Sequence, residues 1–352
     1  MADYFEAVTN RVIVYDGAMG TSLQQADLTA DDFGGDHLEG CNELLSVTRP
    51  DVVTAVHASF LDVGVDVIET NSFGGFSIPL SEYGLRGRVH ELNVAAARLA
   101  REVANHYTTP HHPRWVAGSI GPGTKLPTLG QITYRELRDA YEEQATALLE
   151  GGVDLFIIET QFDLLGLKTA ISGARRAMSR VNRKVPIQAQ VTMETTGRML
   201  PGTEIGAALA AIDPLRPEVF GINCATGPAE MTEHLRYLAA TSRMPIAVIP
   251  NAGLPEVHEG VVCYDLSPTQ LAEYHSRFVT ELGVSVVGGC CGTTPEHLRR
   301  VVEAVRELTP APRTPDYQPG AASTYSFMPF RQDSSFTIIG ERTNANGSKQ
   351  FR

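Results

Sequence analysis

Eight short apolar runs, rich in Val and Ile and separated by amphipathic stretches, constrain this chain more than any other feature. They are RVIVYD at 11–16, VDVIET at 65–70, WVAGSIG at 115–121 and DLFIIET at 154–160, followed by VPIQAQVTM at 185–193, VFGINC at 219–224, PIAVIPN at 245–251 and VSVVGG at 284–289. Their near-continuous apolar character fits parallel strands covered on both faces. The helical patterns between them have legible ends. DVVTAVHASFLDVG at 51–64 follows Pro50 and stops at Gly64, and YRELRDAYEEQATALLEGG at 134–152 ends on two glycines. SPTQLAEYHSRFVTELG at 267–283 and TTPEHLRRVVEAVREL at 293–308 each start with a hydroxyl cap and a proline. This alternation predicts an α/β chain folded as a (β/α)₈ TIM barrel, in preference to an open doubly wound sheet.

A barrel gathers its chemistry where the strands run out. Asp16, Thr70, Asn71, Ser119, Glu159, Asn223, Cys224, Asn251 and the pair Cys290–Cys291 all fall at such ends. They are expected to surround one pocket. The formal net charge of −12 argues against a nucleic-acid or anionic-membrane surface. No apolar run is long enough to span a bilayer, and MADYFEAVTNR has no basic start or apolar stretch of a signal peptide. A reducing cytoplasm is therefore expected. There, clustered cysteines are metal ligands or reactive thiols more often than disulfides.

Three of the five cysteines stand at predicted strand ends: Cys224, Cys290 and Cys291. Adjacent cysteines in a strand point to opposite faces, but Gly288 and Gly289 allow the chain to turn there. The trio could hold one Zn²⁺ and leave a fourth position open. Three inert buried cysteines would fit the spacing as well. Cys41 and Cys263 fall in predicted loops without partners and read as inert. Asp16, in YDGAMGT, could hold an ammonium beside the amides of Gly17 and Ala18; a turn-forming Asp is the plainer reading. Glu159 and Glu69 share one local setting, so the sequence does not choose between them. Ser119 could donate its hydroxyl or simply occupy a strand-end turn. GGDHLEGCNE at 34–43 reads as a mobile loop, and His111–His112 as solvated.

After Leu308 the periodicity stops. Residues 309–335, rich in Pro, Ser and Ala, read as an extended linker, and 336–352 as the start of another domain cut short. Residues 1–308 are the barrel in this division.

DGAMGT at 16–21, ETNSFGG at 69–75, GSIGPGT at 118–124, ETQFD at 159–163, GINC at 221–224 and GGCCGTTPEHL at 288–298 together resemble the homocysteine S-methyltransferase family. IGERTNANGS at 339–348 resembles the opening of the pterin-binding barrel that follows such a module in cobalamin-dependent members. The resemblance implies a barrel with zinc held by Cys224, Cys290 and Cys291 at the C-terminal face of the strands. It implies that Asp16 and Glu159 take the homocysteine amino group and the amides near Gly17 and Ala18 its carboxylate, with Ser119 a further contact. Asn251 is the implied fourth ligand when homocysteine is absent. The implied reaction is methyl transfer from methylcobalamin to homocysteine, giving methionine, with cobalamin and folate domains outside this chain as partners. Competing readings are a stand-alone enzyme using betaine or S-methylmethionine, a non-catalytic zinc-stabilised scaffold, and a redox barrel with a Cys290–Cys291 disulfide.

Overall fold

All eight apolar runs become strands of one parallel sheet in a computed structural model of the protein, which describes residues 3–258, 261–334, 336, 346, 347 and 349. The strands are β1 (Ile13–Val14), β2 (Val67–Glu69), β3 (Trp115–Ile120), β4 (Leu155–Gln161), β5 (Ile187–Val191), β6 (Val219–Asn223), β7 (Ile246–Ile249) and β8 (Val286–Val287). Each pairs with its sequence neighbour, and β1 pairs with β8. A bridge between Tyr15 and Val67 joins β1 to β2. Asp66 N–H donates to Val14 O at 2.7 Å and Asp16 N–H to Val67 O at 3.0 Å across the same seam. The ring is closed, as a (β/α)₈ barrel requires.

The helices that cover it are α1 (Pro50–Asp62), α2 (Val89–Tyr107), α3 (Tyr134–Gly151), α4 (Leu164–Arg180), α5 (Ile205–Ile212), α6 (Pro228–Thr241), α7 (Pro268–Leu282) and α8 (Pro295–Val305). Their ends follow local chemistry. Thr133 and Glu136 form a reciprocal capping box at the start of α3, and Ser267 and Gln270 do the same for α7. Gly283 closes α7 in the left-handed region at φ 65°.

The alternating faces of the strands build two cores. Outward residues such as Val116, Phe156, Ile158 and Phe220 pack against the helices. Inward residues, among them Ile13, Tyr15, Trp115, Ile157 and Ile249, fill the barrel. A short helix, Tyr4–Asn10, joins the inner core. Its Tyr4 meets Trp115 edge-on and donates a hydrogen bond of 2.9 Å to Gln188.

A charged knot lies at the opposite end from the strand C-termini. Asp66 accepts two bonds from Arg11, at 2.8 and 3.0 Å, and one from Val14 N–H at 2.9 Å. His112 Nε2 lies 3.0 Å from the same carboxylate. The expected solvated His pair is thus divided: His111 is exposed, whereas His112 is half-buried in this knot.

The segment after Leu308 lies along the barrel. Ala311 N–H donates to Val279 O at 2.9 Å, and Arg313 donates to Ser242 O and Met244 O at 2.8 and 2.7 Å. Strands Gly320–Ala322 and Phe327–Pro329 form a hairpin, and Glu204 N–H donates to Tyr325 O at 2.9 Å beside it. Of the expected further-domain segment at 336–352, all but residues 336, 346, 347 and 349 lie outside the described residues.

Candidate metal and substrate site

A cavity of about 270 Å³ opens where the strands end, and the first, second, third, fourth, sixth and eighth strand-to-helix connections contribute to its wall. Cys224, Cys290 and Cys291 stand on one side, and Gly17, Ala18, Glu69, Ser119 and Glu159 also line it.

Local backbone geometry aims the three sulfurs. Cys224 and Ala225 have φ 60° and 61°, in the left-handed region that non-glycine residues avoid at a cost of roughly 1 kcal/mol or more each. Bonds from Cys224 N–H to Ile249 O and from Thr226 N–H to Cys224 O, at 3.1 and 2.8 Å, hold that turn. Across the mouth, Cys290 N–H donates to Pro250 O at 2.7 Å, and Ala252 N–H donates to Cys291 O at 2.9 Å. Gly288 and Gly289 have a different role from the expected one. Added side chains there would come within 2.7 Å of Tyr15 and 2.5 Å of Thr293, so close packing demands glycine. The left-handed glycine of this turn is Gly292, at φ 78°.

The result is a cluster whose sulfurs all lie within 4.8 Å of one another, with Cys224 and Cys291 at 3.9 Å. Cys224, Cys290 and Cys291 are free thiols. Hydrogen bonds from Cys224 and Cys290 hold the Cys291 thiol down to about 3, and Tyr264 adds a further donor. Hydrogen bonds with Cys224 and Cys291, together with burial, push Cys290 up. Asn251 is 2% exposed, and its Oδ1 finds no hydrogen-bond donor among the described residues. Its neighbours Pro250 and Ala252 are the residues bonded to Cys290 and Cys291. An unpaired buried carbonyl oxygen costs about 1–3 kcal/mol, and a cation would relieve it. Three clustered thiols beside such an oxygen fit the donor preferences of Zn²⁺.

The opposite wall is acidic. Glu69 and Glu159 line it, whereas Asp16, 3% exposed, is not among the lining residues and accepts from Glu69 N–H at 3.0 Å beside them. Glu159 is 7% exposed and accepts from Ser119 Oγ at 2.6 Å and from Asn223 Nδ2 at 3.4 Å. Thr160, at φ 54°, turns the chain just past Glu159, and its N–H donates to Asn223 Oδ1 at 2.7 Å. The Glu69 carboxyl touches that of Glu159. Burial raises the pKa of Asp16, and the Glu159 charge adds to it. Burial and the charges of Glu159 and Asp16 raise Glu69 well above the usual range. Burial raises Glu159 too, against the bonds from Ser119 and Glu69. No Lys, Arg or His lines the cavity among the described residues. The pocket therefore suits a ligand that brings its own cation. Ala18 N–H, the expected carboxylate donor, already has a partner in Thr293 Oγ1 at 3.3 Å.

Three features escape a reading of the sequence. The segment expected to be a mobile loop at 34–43 contains the helical turn Asp36–Leu38 and buried Cys41, and a second turn, Asn42–Leu44, carries Glu43 to the pocket wall. Glu43 accepts from Gly74 N–H at 2.6 Å, and Cys41 Sγ lies 3.9 Å from its carboxylate, so Cys41 has a partner. The apolar spacing of Phe33, Leu38, Leu44 and Leu45 was the available signal. Cys263 ends a short strand, Val261–Cys263, paired with Glu256–His258, in place of the expected loop. Tyr264, just after it, reaches Cys291 from a stretch with no chemical motif.

The fold and site define a (β/α)₈ protein with a metal-competent thiol cluster facing an acidic pocket. The chain belongs to the homocysteine S-methyltransferase family, whose model matches residues 13–305. It is 51% identical over 350 residues to a methionine synthase of Mycobacterium tuberculosis (strain ATCC 25618 / H37Rv), covering 99% of this chain and 29% of that protein. A methionine synthase of Mycobacterium leprae (strain TN) is 51% identical over 355 residues, again covering 99% of this chain and 29% of the relative. The chain thus spans less than a third of the length of these relatives. Among solved structures, the metallated form of the homocysteine methyltransferase MmuM from Escherichia coli superposes with a TM-score of 0.67 at 22% identity, covering 83% of this chain and 95% of that one. Among the described residues, no helix is long and apolar enough to cross a membrane.

Proposed function

We propose that this chain is the homocysteine-activating module of a cobalamin-dependent methionine synthase, transferring a methyl group from methylcobalamin to homocysteine sulfur. The observation that carries the proposal is the convergence of three free thiols on one side of a pocket whose other side is carboxylate. The names and lengths of the mycobacterial relatives support it. Zn²⁺ held by Cys224, Cys290 and Cys291 would replace the proton of the substrate thiol, leaving its sulfur nucleophilic near neutral pH. The chain's own residues position the substrate. Asp16 and Glu159 take its ammonium, and Ser119 keeps Glu159 turned toward it. The Gly17 N–H would meet the carboxylate, the Ala18 N–H being held by Thr293. Asn251, whose Oδ1 has no hydrogen-bond partner among the described residues, would supply a fourth ligand when no substrate is bound. Residues 1–308 form this module, 309–335 are an interdomain linker, and 336–352 begin a pterin-binding domain. Cobalamin and folate domains outside the chain complete the enzyme. A thiol cluster of this kind requires a reducing compartment, so we infer a cytoplasmic location.

Metal analysis with zinc-edge absorption spectroscopy tests the proposal. One zinc per chain and a rise from three to four sulfur neighbours on adding homocysteine are expected. Cys224→Ala, Cys290→Ala and Cys291→Ala should each lose the metal while circular dichroism still reports a folded barrel. A wild-type sulfur count unmoved by homocysteine would refute the mechanism.

A further inference from the structure

The last strand-to-helix loop contains a side chain that the proposed function does not use. Thr293 is 0% exposed and sits where the first and last loops of the barrel meet. Its Oγ1 accepts from Ala18 N–H at 3.3 Å and donates to Cys290 O at 2.7 Å. Its own N–H donates to the same carbonyl at 3.1 Å. One hydroxyl thus spends its proton on the loop that carries Cys290 and Cys291 and a lone pair on the adjoining first loop, which carries Gly17 and Ala18. The surrounding backbone has made room for this. A Cβ at Gly17 would lie 2.7 Å from Thr293 Oγ1, and one at Gly289 would lie 2.5 Å from it. Two further bonds stitch the loops: Gly289 N–H to Asp16 O at 3.1 Å and Gly292 N–H to Thr21 Oγ1 at 3.2 Å. Thr293 alone among these joins Ala18 to a cysteine's own peptide.

We propose that Thr293 is a positioning residue that sets the span between the Gly17–Ala18 peptide and the Cys290 peptide, and so the length of thiol amino acid the site accepts. The inference rests on the proposed homocysteine reading. A ligand held by its carboxylate at one end and its sulfur at the other is measured by that span. Cysteine is one methylene shorter than homocysteine and cannot satisfy both ends at once. A one-methylene difference in a fixed site is worth roughly 10–200-fold. Loosening the seam should reduce that selectivity before it affects either end alone.

The test measures dissociation constants of the zinc-loaded chain for homocysteine, cysteine and 3-aminopropane-1-thiol, which is homocysteine without its carboxylate. Thr293→Val removes the hydroxyl at nearly constant volume, and Thr293→Ser retains it. Thr293→Val is expected to weaken homocysteine about tenfold, the effect of one lost hydrogen-bonded contact. Its affinity for 3-aminopropane-1-thiol and its zinc content should stay within about twofold of wild type. Its preference for homocysteine over cysteine should shrink, and Thr293→Ser should restore it. If Thr293→Val does not fold, Thr293→Ala removes the same hydroxyl and is measured in its place. Equal weakening of homocysteine and its decarboxylated analogue would overturn the proposal, as would unchanged selectivity. Failure of the wild-type chain to bind homocysteine would instead remove the functional reading itself, and this inference with it.

Discussion

A carboxyl group buried without a cation must collect hydrogen-bond donors or keep its proton. Glu159 has donors in Ser119 and Asn223, whereas Glu69 has the carboxyl of Glu159 against it. Glu159 is thus the better anion, although VIET at 67–70 and IIET at 157–160 are nearly the same sequence. Glu159→Gln and Asp16→Asn should each weaken homocysteine by roughly tenfold to a hundredfold, the worth of a bond to a charged group. Titration calorimetry should show 4-mercaptobutanoate, which is homocysteine without its ammonium, to be indifferent to both. Glu69→Gln should leave homocysteine within a few-fold of wild type. The sign of its effect on stability follows from the raised folded-state pKa. The folded chain holds a proton that the unfolded chain has already lost, so stability falls as pH rises from the unfolded value of 4.5 toward the folded one. Glu69→Gln should therefore stabilise the chain at pH 7, by on the order of 1 kcal/mol, and progressively less as the pH drops toward 4. Denaturant unfolding at both pH values checks this; equal stability changes would mean that Glu69 titrates normally.

At the scale of elements, the caps and strand cores were legible because they obey local rules. Ser267, Gln270 and Gly283 bracket α7 by chemistry contained within a few residues of sequence. The strand runs were legible in place but not in length. RVIVYD yields only Ile13–Val14 as ladder, and its Tyr15 adds a single bridge to Val67 while its ring fills the barrel core. The loop at 34–43 was misread because its order comes from packing of Cys41 and Leu44 against Leu80 and Leu92, which local composition does not report, and the loop at Cys263 because that residue pairs with Glu256 across a short hairpin. The knot at the N-terminal ends of the strands belongs to this scale. Asp66, at the entry to β2, ties Arg11, the Val14 amide and His112 together across the closing seam. Burial opposes its charge, but the bonds from His112 and Arg11 prevail and hold its pKa below 3.8. A depressed folded-state pKa gives stability that is present above the unfolded value and is lost as pH falls through the folded one. Asp66→Ala should cost about 1–3 kcal/mol at pH 7, since it leaves the buried Val14 N–H without its acceptor and removes the bonds from the partly exposed Arg11 and His112. The gap from wild type should narrow at pH 3 in urea melts. A gap independent of pH would show that Asp66 acts through packing alone.

For the whole molecule, the segment after Leu308 separates stability from binding. Its partners include Val279, Ser242, Met244, Ala240, Thr203 and Glu204, none of which lines the pocket. Truncation after Leu308 should leave homocysteine affinity within about twofold. It should also lower thermal stability, because Arg313 no longer satisfies the carbonyls of Ser242 and Met244. An affinity loss beyond tenfold would mean that the segment shapes the mouth. The sequence by itself determined the eight-fold alternation, which favours a closed barrel, and the strand ends at which polar and thiol residues stand. These rest on hydrophobic period, capping chemistry and motif order, all carried by neighbours along the chain. Only the tertiary structure decided that Glu159 and not Glu69 receives the donors, that Tyr264 reaches Cys291, and that Thr293 bridges the first and last loops. Each of those depends on groups far apart in sequence brought within bonding distance by ring closure, and a hydrogen bond falls away over a fraction of an ångström.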